Sequence, residues 1–186
     1  MEFKESGIRF VFDDNQWNVL QLDKETDYKK IADTLPETKA IDFLGIHNHN
    51  AIYLFEVKSF RGHGSEESVR ARLKNAADDL TTEIGQKVRD SLACLLAGAR
   101  NSTNKDEVWK TYCRKIMSGE VEVWVIAWIE EDVSTSVLTA RAKLKMSVRR
   151  DNLRKKLRWL STKVEILNAR NYNNSVTGLT VSLLPA

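Results

Sequence analysis

Cysteine and proline are nearly missing from this chain, with two of each in 186 residues. Cys94 and Cys113 form no CxxC and have no zinc-site spacing, so a disulfide framework and a zinc ribbon are excluded. Reduced thiols in a cytoplasmic protein are expected. With so little proline and only eight glycines, no linker, repeat or low-complexity tract divides the sequence. One domain over residues 1–186 is the expectation, a length at which a single core is readily buried. Long apolar runs are also missing. The longest covers residues 92–99, far short of the roughly 18–20 that cross a bilayer, so no membrane partner is expected. The opening MEFKESGIRF has no basic segment followed by an apolar core, and no secretory signal is expected.

What is present is an ordinary globular mix, 42% hydrophobic and 30% charged, which argues against a disordered tail or a fibre. The net charge is only +3, but its distribution is uneven. Residues 141–158 hold nine Lys and Arg against the single acid Asp151, so that segment is +8 and the remainder sums to −5. A polyanion is a natural partner for such a concentration, although a solvated helix face has the same composition.

Hydrophobic spacing gives the element order. Residues 8–22 alternate around Asp13, Asp14 and Asn15 and predict two short strands. Residues 26–35 predict a short helix ended by Pro36. Residues 39–47 and 51–60 predict two strands joined by a polar turn at Asn48, His49 and Asn50. Leu73, Ala77, Leu80, Ile84, Val88, Leu92 and Leu95 recur at steps of three and four, one apolar face of a long helix. A short helix at 108–116 follows. Residues 121–129, VEVWVIAWI, read as a strand buried on both faces. The basic segment carries Leu153, Leu157 and Leu160 at helical spacing, and strands at 163–167 and 176–184 close the chain. Interleaved strands and helices predict an α/β fold with a mixed central β-sheet flanked by helices.

Two carboxylates interrupt apolar strands here: Asp42 between Ile41 and Phe43, and Glu56 between Phe55 and Val57, with Lys58 two residues on. Alternation puts Glu56 and Lys58 on one sheet face. A three-residue loop would pair His47 with Ala51 and set Asp42 directly opposite Glu56. Lys58 alone is a poor counterion for two carboxylates in such surroundings, and burying the cluster unpaired would cost several kcal/mol. A hard divalent cation held by both acids would relieve the conflict and leave positions for a phosphate.

Asp42, a thirteen-residue gap, then Glu56-Val57-Lys58 on consecutive strands before a long helix resembles the PD-(D/E)XK nuclease superfamily over about residues 39–130. The resemblance implies a restriction-endonuclease-like core and Mg²⁺- or Mn²⁺-dependent hydrolysis of nucleic acid, with DNA the expected substrate. It places the metal on Asp42, Glu56 and the Val57 carbonyl, and gives Lys58 the attacking water. Ile41 stands where the name-giving motif has proline. The family often adds an acid from an N-terminal helix; Glu5, Glu2 and Glu25 are candidates, each with a surface role expected. Gln86 has no tyrosine four residues later and reads as a surface residue. Beside a nuclease core, Arg61, Arg149, Arg150, Arg154 and Lys155 become candidate nucleic-acid contacts, and Arg70, Arg72 and Lys74 open the long helix.

His47-Asn48-His49 spells HNH but is contiguous in a tight turn, unlike the separated residues of HNH nucleases. His63 reads as a surface-loop residue, Trp124 and Trp128 as core, Trp159 as the anchor of the basic helix, and Cys94 as packing. A homodimer or a partner protein fits an enzyme that cuts two strands. Three alternatives stand beside DNA cleavage: a catalytically silent nucleic-acid- or protein-binding module, an enzyme acting on RNA, and a component of a larger defence or recombination complex.

Overall fold

The computed structural model describes residues 1–63, 66–67, 73, 79–132 and 139–185. Five strands form the central sheet, in the order β3 (Trp17–Gln21), β4 (Phe43–His47), β5 (Ala51–Phe60), β6 (Glu122–Glu131) and β7 (Lys163–Leu167). β4 runs antiparallel to both β3 and β5, whereas β5, β6 and β7 run parallel. Parallel neighbours need long crossovers. Between β5 and β6 the chain forms α2 (Asp79–Asn101) and α3 (Asp106–Ser118), and between β6 and β7 it forms α4 (Ala140–Leu157). A short α1 (Thr26–Thr34) lies between β3 and β4.

The other sheet has three strands, β1 (Glu2–Glu5), β2 (Ile8–Phe12) and β8 (Leu179–Leu183), in antiparallel order β1-β2-β8. The two strands expected around Asp13 and the closing strand are all present, and the pairing divides them between the sheets. The strands on either side of Asp13 do not pair with each other, because Asp13 turns the chain from one sheet to the other. Its side chain accepts from Asn15 N and Gln16 Nε2, and its carbonyl from Trp17 N. The C-terminal strand does not extend the central sheet either; it pairs with β2, with Ile8 opposite Leu183.

A mixed sheet is therefore present, but the described helices cover only one of its faces. On that side Ile52, Leu54, Phe60, Val125, Ala127 and Ile129 pack against Leu80, Ile84, Val88, Leu95, Trp109, Leu153 and Leu157. The opposite face meets the small sheet through aromatic rings. Phe10 lies 5.3 Å from Phe43 and 5.5 Å from Trp128, and Trp128 is 5.2 Å from Tyr172. β6 sits between both layers and is buried through most of its length, as its unbroken apolar run requires.

Helix α2 buries Leu80, Ile84, Val88 and Leu95 along one face. Leu73 packs against the same core, while Ala77 lies outside the described residues. Gly98 is needed for packing: a Cβ there would meet the Trp109 ring at 2.7 Å, so its absence lets α3 close onto α2. No described helix is long and apolar enough to cross a membrane.

Candidate functional site

The β4–β5 hairpin sets the site. Its turn at Asn48 and His49 has both residues at positive φ and is closed by Asn50 N donating to the His47 carbonyl. His47 pairs with Ala51 and Phe43 with Phe55, so the next step places Asp42 opposite Glu56. Asp42 keeps the register: its N–H donates to the Phe55 carbonyl at 3.0 Å, and its Oδ2 accepts from Val57 N at 2.6 Å. Ile41 N donates to Ser91 Oγ at 2.9 Å, which ties this strand start to α2. Both acids are buried, Asp42 at 6% and Glu56 at 1% exposure.

Glu56 and Lys58 share the helix-covered face, 3.2 Å apart. Sequence reasoning missed the next two members, which come from α2. Lys87 Nζ stands 2.7 Å from Glu56 Oε1, and Glu83 Oε1 stands 2.9 Å from Lys58 Nζ. Glu83 and Lys87 lie one helical turn apart, facing the strand, and an alternating row Lys87, Glu56, Lys58, Glu83 results. Lys58 is therefore not the lone cation facing the two acids, contrary to the premise for a bound ion. The i, i+4 spacing of Glu83 and Lys87 was visible, but it belongs to many exposed helices and carried no pointer to Glu56.

Electrostatics separates the three residues. Burial, then the nearby Glu56 charge, pushes the Asp42 carboxyl up to about 7. Glu56 is also raised by burial, with Lys87 and Lys58 opposing the rise. Burial works against the Lys58 ammonium, but Glu56 and Glu83 outweigh it and hold Lys58 above the usual lysine range. Lys58 is thus a cation at neutral pH.

A second group of acids reaches Asp42 from outside the motif. Carboxylate oxygens of Glu5, Asp23 and Asp42 lie within 4.8 Å of one another. Glu5 ends β1 and Asp23 sits in a tight 3-10 turn after β3, held close because Leu22 N donates to the Asp42 carbonyl. Of the three N-terminal acids considered, Glu5 therefore arrives, from a strand rather than a helix. Glu2 pairs with Arg9 and Glu25 with Lys105 instead. Asp23 had no signal in the sequence. All these donors are carboxylate oxygens, the set that suits a hard divalent cation such as Mg²⁺ or Mn²⁺. Asp23 Oδ1 and Glu56 Oε2 are buried oxygens with no hydrogen-bond partner. The residues present fit such an ion.

The expected nucleic-acid contacts fare differently. Arg61 donates through Nη1 and Nη2 to the Leu184 carbonyl at 3.2 Å, tying the end of β5 to the small sheet. Arg149 is 2% exposed and pairs with Glu131, which also binds Lys145 at 2.7 Å. Arg149 is held inside the fold by its ion pair, and Arg61 is half-buried against the small sheet. Arg150 reaches Glu165 at 3.9 Å and Arg154 reaches Asp151 at 4.0 Å, while Lys155 is exposed. Arg70, Arg72 and Lys74 lie outside the described residues.

No family model matches this chain, and no curated protein or solved structure matches it.

The remaining expectations divide. Gln86 is exposed and Trp128 fully buried, as expected, and Trp124 is half-buried against Tyr53. Cys94 is packed in α2 with its thiol pushed up to about 11 by burial, inert as expected. His63 pairs with Glu66 at 2.6 Å on the surface, and His47 packs against the Trp17 ring. Trp159 reverses expectation: it is 56% exposed and anchors nothing.

Proposed function

We infer that this protein is a divalent-metal-dependent nuclease that hydrolyses DNA phosphodiester bonds at Asp42, Glu56 and Lys58. The observation that carries this reading is the register of β4 and β5, which brings two buried carboxylates and a cation onto one sheet face beneath α2. The antiparallel strands β4 and β5, the crossover through α2 and the parallel strand β6 follow the element order that the PD-(D/E)XK resemblance requires, so a restriction-endonuclease-like core belongs to the same proposal.

Asp42 and Glu56 would hold Mg²⁺ or Mn²⁺, with Glu5 and Asp23 beside Asp42. When bound, such an ion neutralises phosphate charge and acidifies water. Lys58, fixed between Glu56 and Glu83, holds negative charge on the phosphate as it grows. Water oxygen bonds to phosphorus and loses one proton to solvent, the bond from phosphorus to the leaving sugar oxygen breaks, and that oxygen takes up a proton from solvent. Lys87 opposes the rise that burial imposes on the Glu56 carboxyl and orients it.

A second reading, a nucleic-acid-binding module that does not cut, draws on Lys87. Two lysines already neutralise Glu56, so the cluster does not need an ion to exist. Supercoiled and linear DNA incubated with Mg²⁺, Mn²⁺ or EDTA separates the two readings. Metal-dependent nicking that is lost in Lys58→Ala is expected. Salt-sensitive binding with no nicking in either protein would favour the silent module.

A further inference from the structure

Helix α4 turns Arg149, Leu153 and Leu157 inward and leaves a stripe of side chains outside the fold. At steps of three and four, Arg141, Leu144, Val148, Asp151 and Lys155 follow one outward line, and Trp159 stands in the turn just beyond the helix. Its apolar members are exposed: Leu144 at 66%, Val148 at 43% and Trp159 at 56%. Trp159 differs from the other four tryptophans, of which Trp17, Trp109 and Trp128 are buried and Trp124 half-buried.

The charge of this stripe is unanswered. On or beside the stripe, Arg141, Lys155 and Arg158 are exposed and make no ion pair among the described residues. The single acid, Asp151, lies 3.8 Å from Arg150 and 4.0 Å from Arg154 and is already engaged. Three such cations would repel the same face of a second copy, and they complement a polyanion. Two aliphatic side chains and one indole are a small surface for entering a lipid bilayer. They do suit the flat faces of nucleobases, which stack on exposed aromatic rings between cations that follow the backbone. In a duplex those faces are already stacked on each other, and Trp159 would have nothing to cover.

We propose that the outer stripe of α4 binds single-stranded nucleic acid, with an unpaired base on Trp159 and phosphates on Lys155 and Arg158. Binding here goes beyond cleavage and does not need it. On its inner side α4 meets α2 at Gly85, where a Cβ would lie 3.8 Å from the Lys156 Cβ; Gly85 is two residues from both Glu83 and Lys87 and faces away from them.

Fluorescence anisotropy in EDTA tests this with labelled oligo-dT of about 20 nucleotides and a duplex of equal length. Oligo-dT is expected to bind more tightly and to quench tryptophan emission. Trp159→Ala should weaken oligo-dT binding about tenfold and leave duplex binding unchanged, with Trp159→Phe retaining most of the affinity. Lys155→Ala should lower the salt dependence by about one counterion. Far-UV circular dichroism checks that each variant folds. Equal affinity for both DNAs with no effect of Trp159→Ala would overturn the proposal, as would binding to phosphatidylserine vesicles but not to oligo-dT. These results stand whether or not the protein nicks DNA.

Discussion

Lys87 Nζ lies 2.7 Å from Glu56 Oε1, nearer than Lys58 at 3.2 Å. A carboxylate at 1% exposure is thus gripped by cations from two elements, the strand that carries it and the helix that covers it. Removing the helix cation leaves Glu56 with one partner in a poorly solvated site. Lys87→Met is expected to lower the unfolding free energy by about 2–3 kcal/mol, less than the roughly 3–5 kcal/mol of a wholly broken buried pair. Glu56→Gln in that background should recover part of the loss. Urea titration of both singles and the double measures the coupling, and strictly additive losses would show that the contact carries no energy.

Asp42 makes stability depend on pH. Its folded carboxyl is pushed up to about 7, against about 3.9 in an unfolded chain. Between those values the folded protein keeps a proton that the unfolded chain has released. The resulting stability is fully present below about pH 4 and is lost as pH rises through about 7. Wild type should lose thermal stability across that window and Asp42→Asn should lose less. A divalent cation that binds the ionised carboxyl reverses the loss, so Mg²⁺ should raise Tm at about pH 8 and do little at about pH 5.5. Calorimetry at the two pH values decides this. An equal Mg²⁺ effect at both would remove Asp42 from the ligands of the ion.

The hairpin was legible because its register rests on local chemistry. Asn48 and His49 accept left-handed backbone, and alternation then fixes which side chains share a face. β6 was legible because nine nearly apolar residues have one comfortable place, between two strands. What escaped depends on contacts distant in sequence. Nothing near Asp23 announces that its turn folds against Asp42, and nothing near Arg149 distinguishes it from the other eight basic residues of its segment. Arg149 is inside because its position falls on the helix face that meets Glu131. The second sheet was missed for a similar reason: β2 and β8 look like ordinary half-buried strands, and only closing the two chain ends together shows that they pair.

Arg149 and Lys155, six residues apart on one helix, should therefore respond differently to substitution. Arg149→Met leaves Glu131 with Lys145 alone and should destabilise the fold by about 2–4 kcal/mol. Lys155→Ala removes an exposed charge and should change stability by less than about 0.5 kcal/mol while weakening DNA binding. Chemical denaturation and binding titrations on both variants provide the comparison. A stable Arg149→Met protein with lost DNA affinity would return Arg149 to the nucleic-acid interface.

Lys58 offers the sharpest test of mechanism. Burial disfavours its charge, yet Glu56 and Glu83 hold the ammonium above the ordinary lysine range, so no free amine is present at neutral pH to take a proton from water. Its contribution is then positive charge at a fixed place. Lys58→Arg keeps that charge and should retain a measurable fraction of nicking, whereas Lys58→Met should lose about 10²–10³-fold, the scale of one removed electrostatic contact to a transition state. At low Mg²⁺ the rate should climb as Asp42 ionises through about pH 7, without a second rise from the lysine in the neutral range. Equal losses in the two variants, together with a wild-type limb near the lysine range, would make Lys58 a base instead. The row from Lys87 to Glu83 would then have to release its proton during turnover, which two flanking carboxylates oppose.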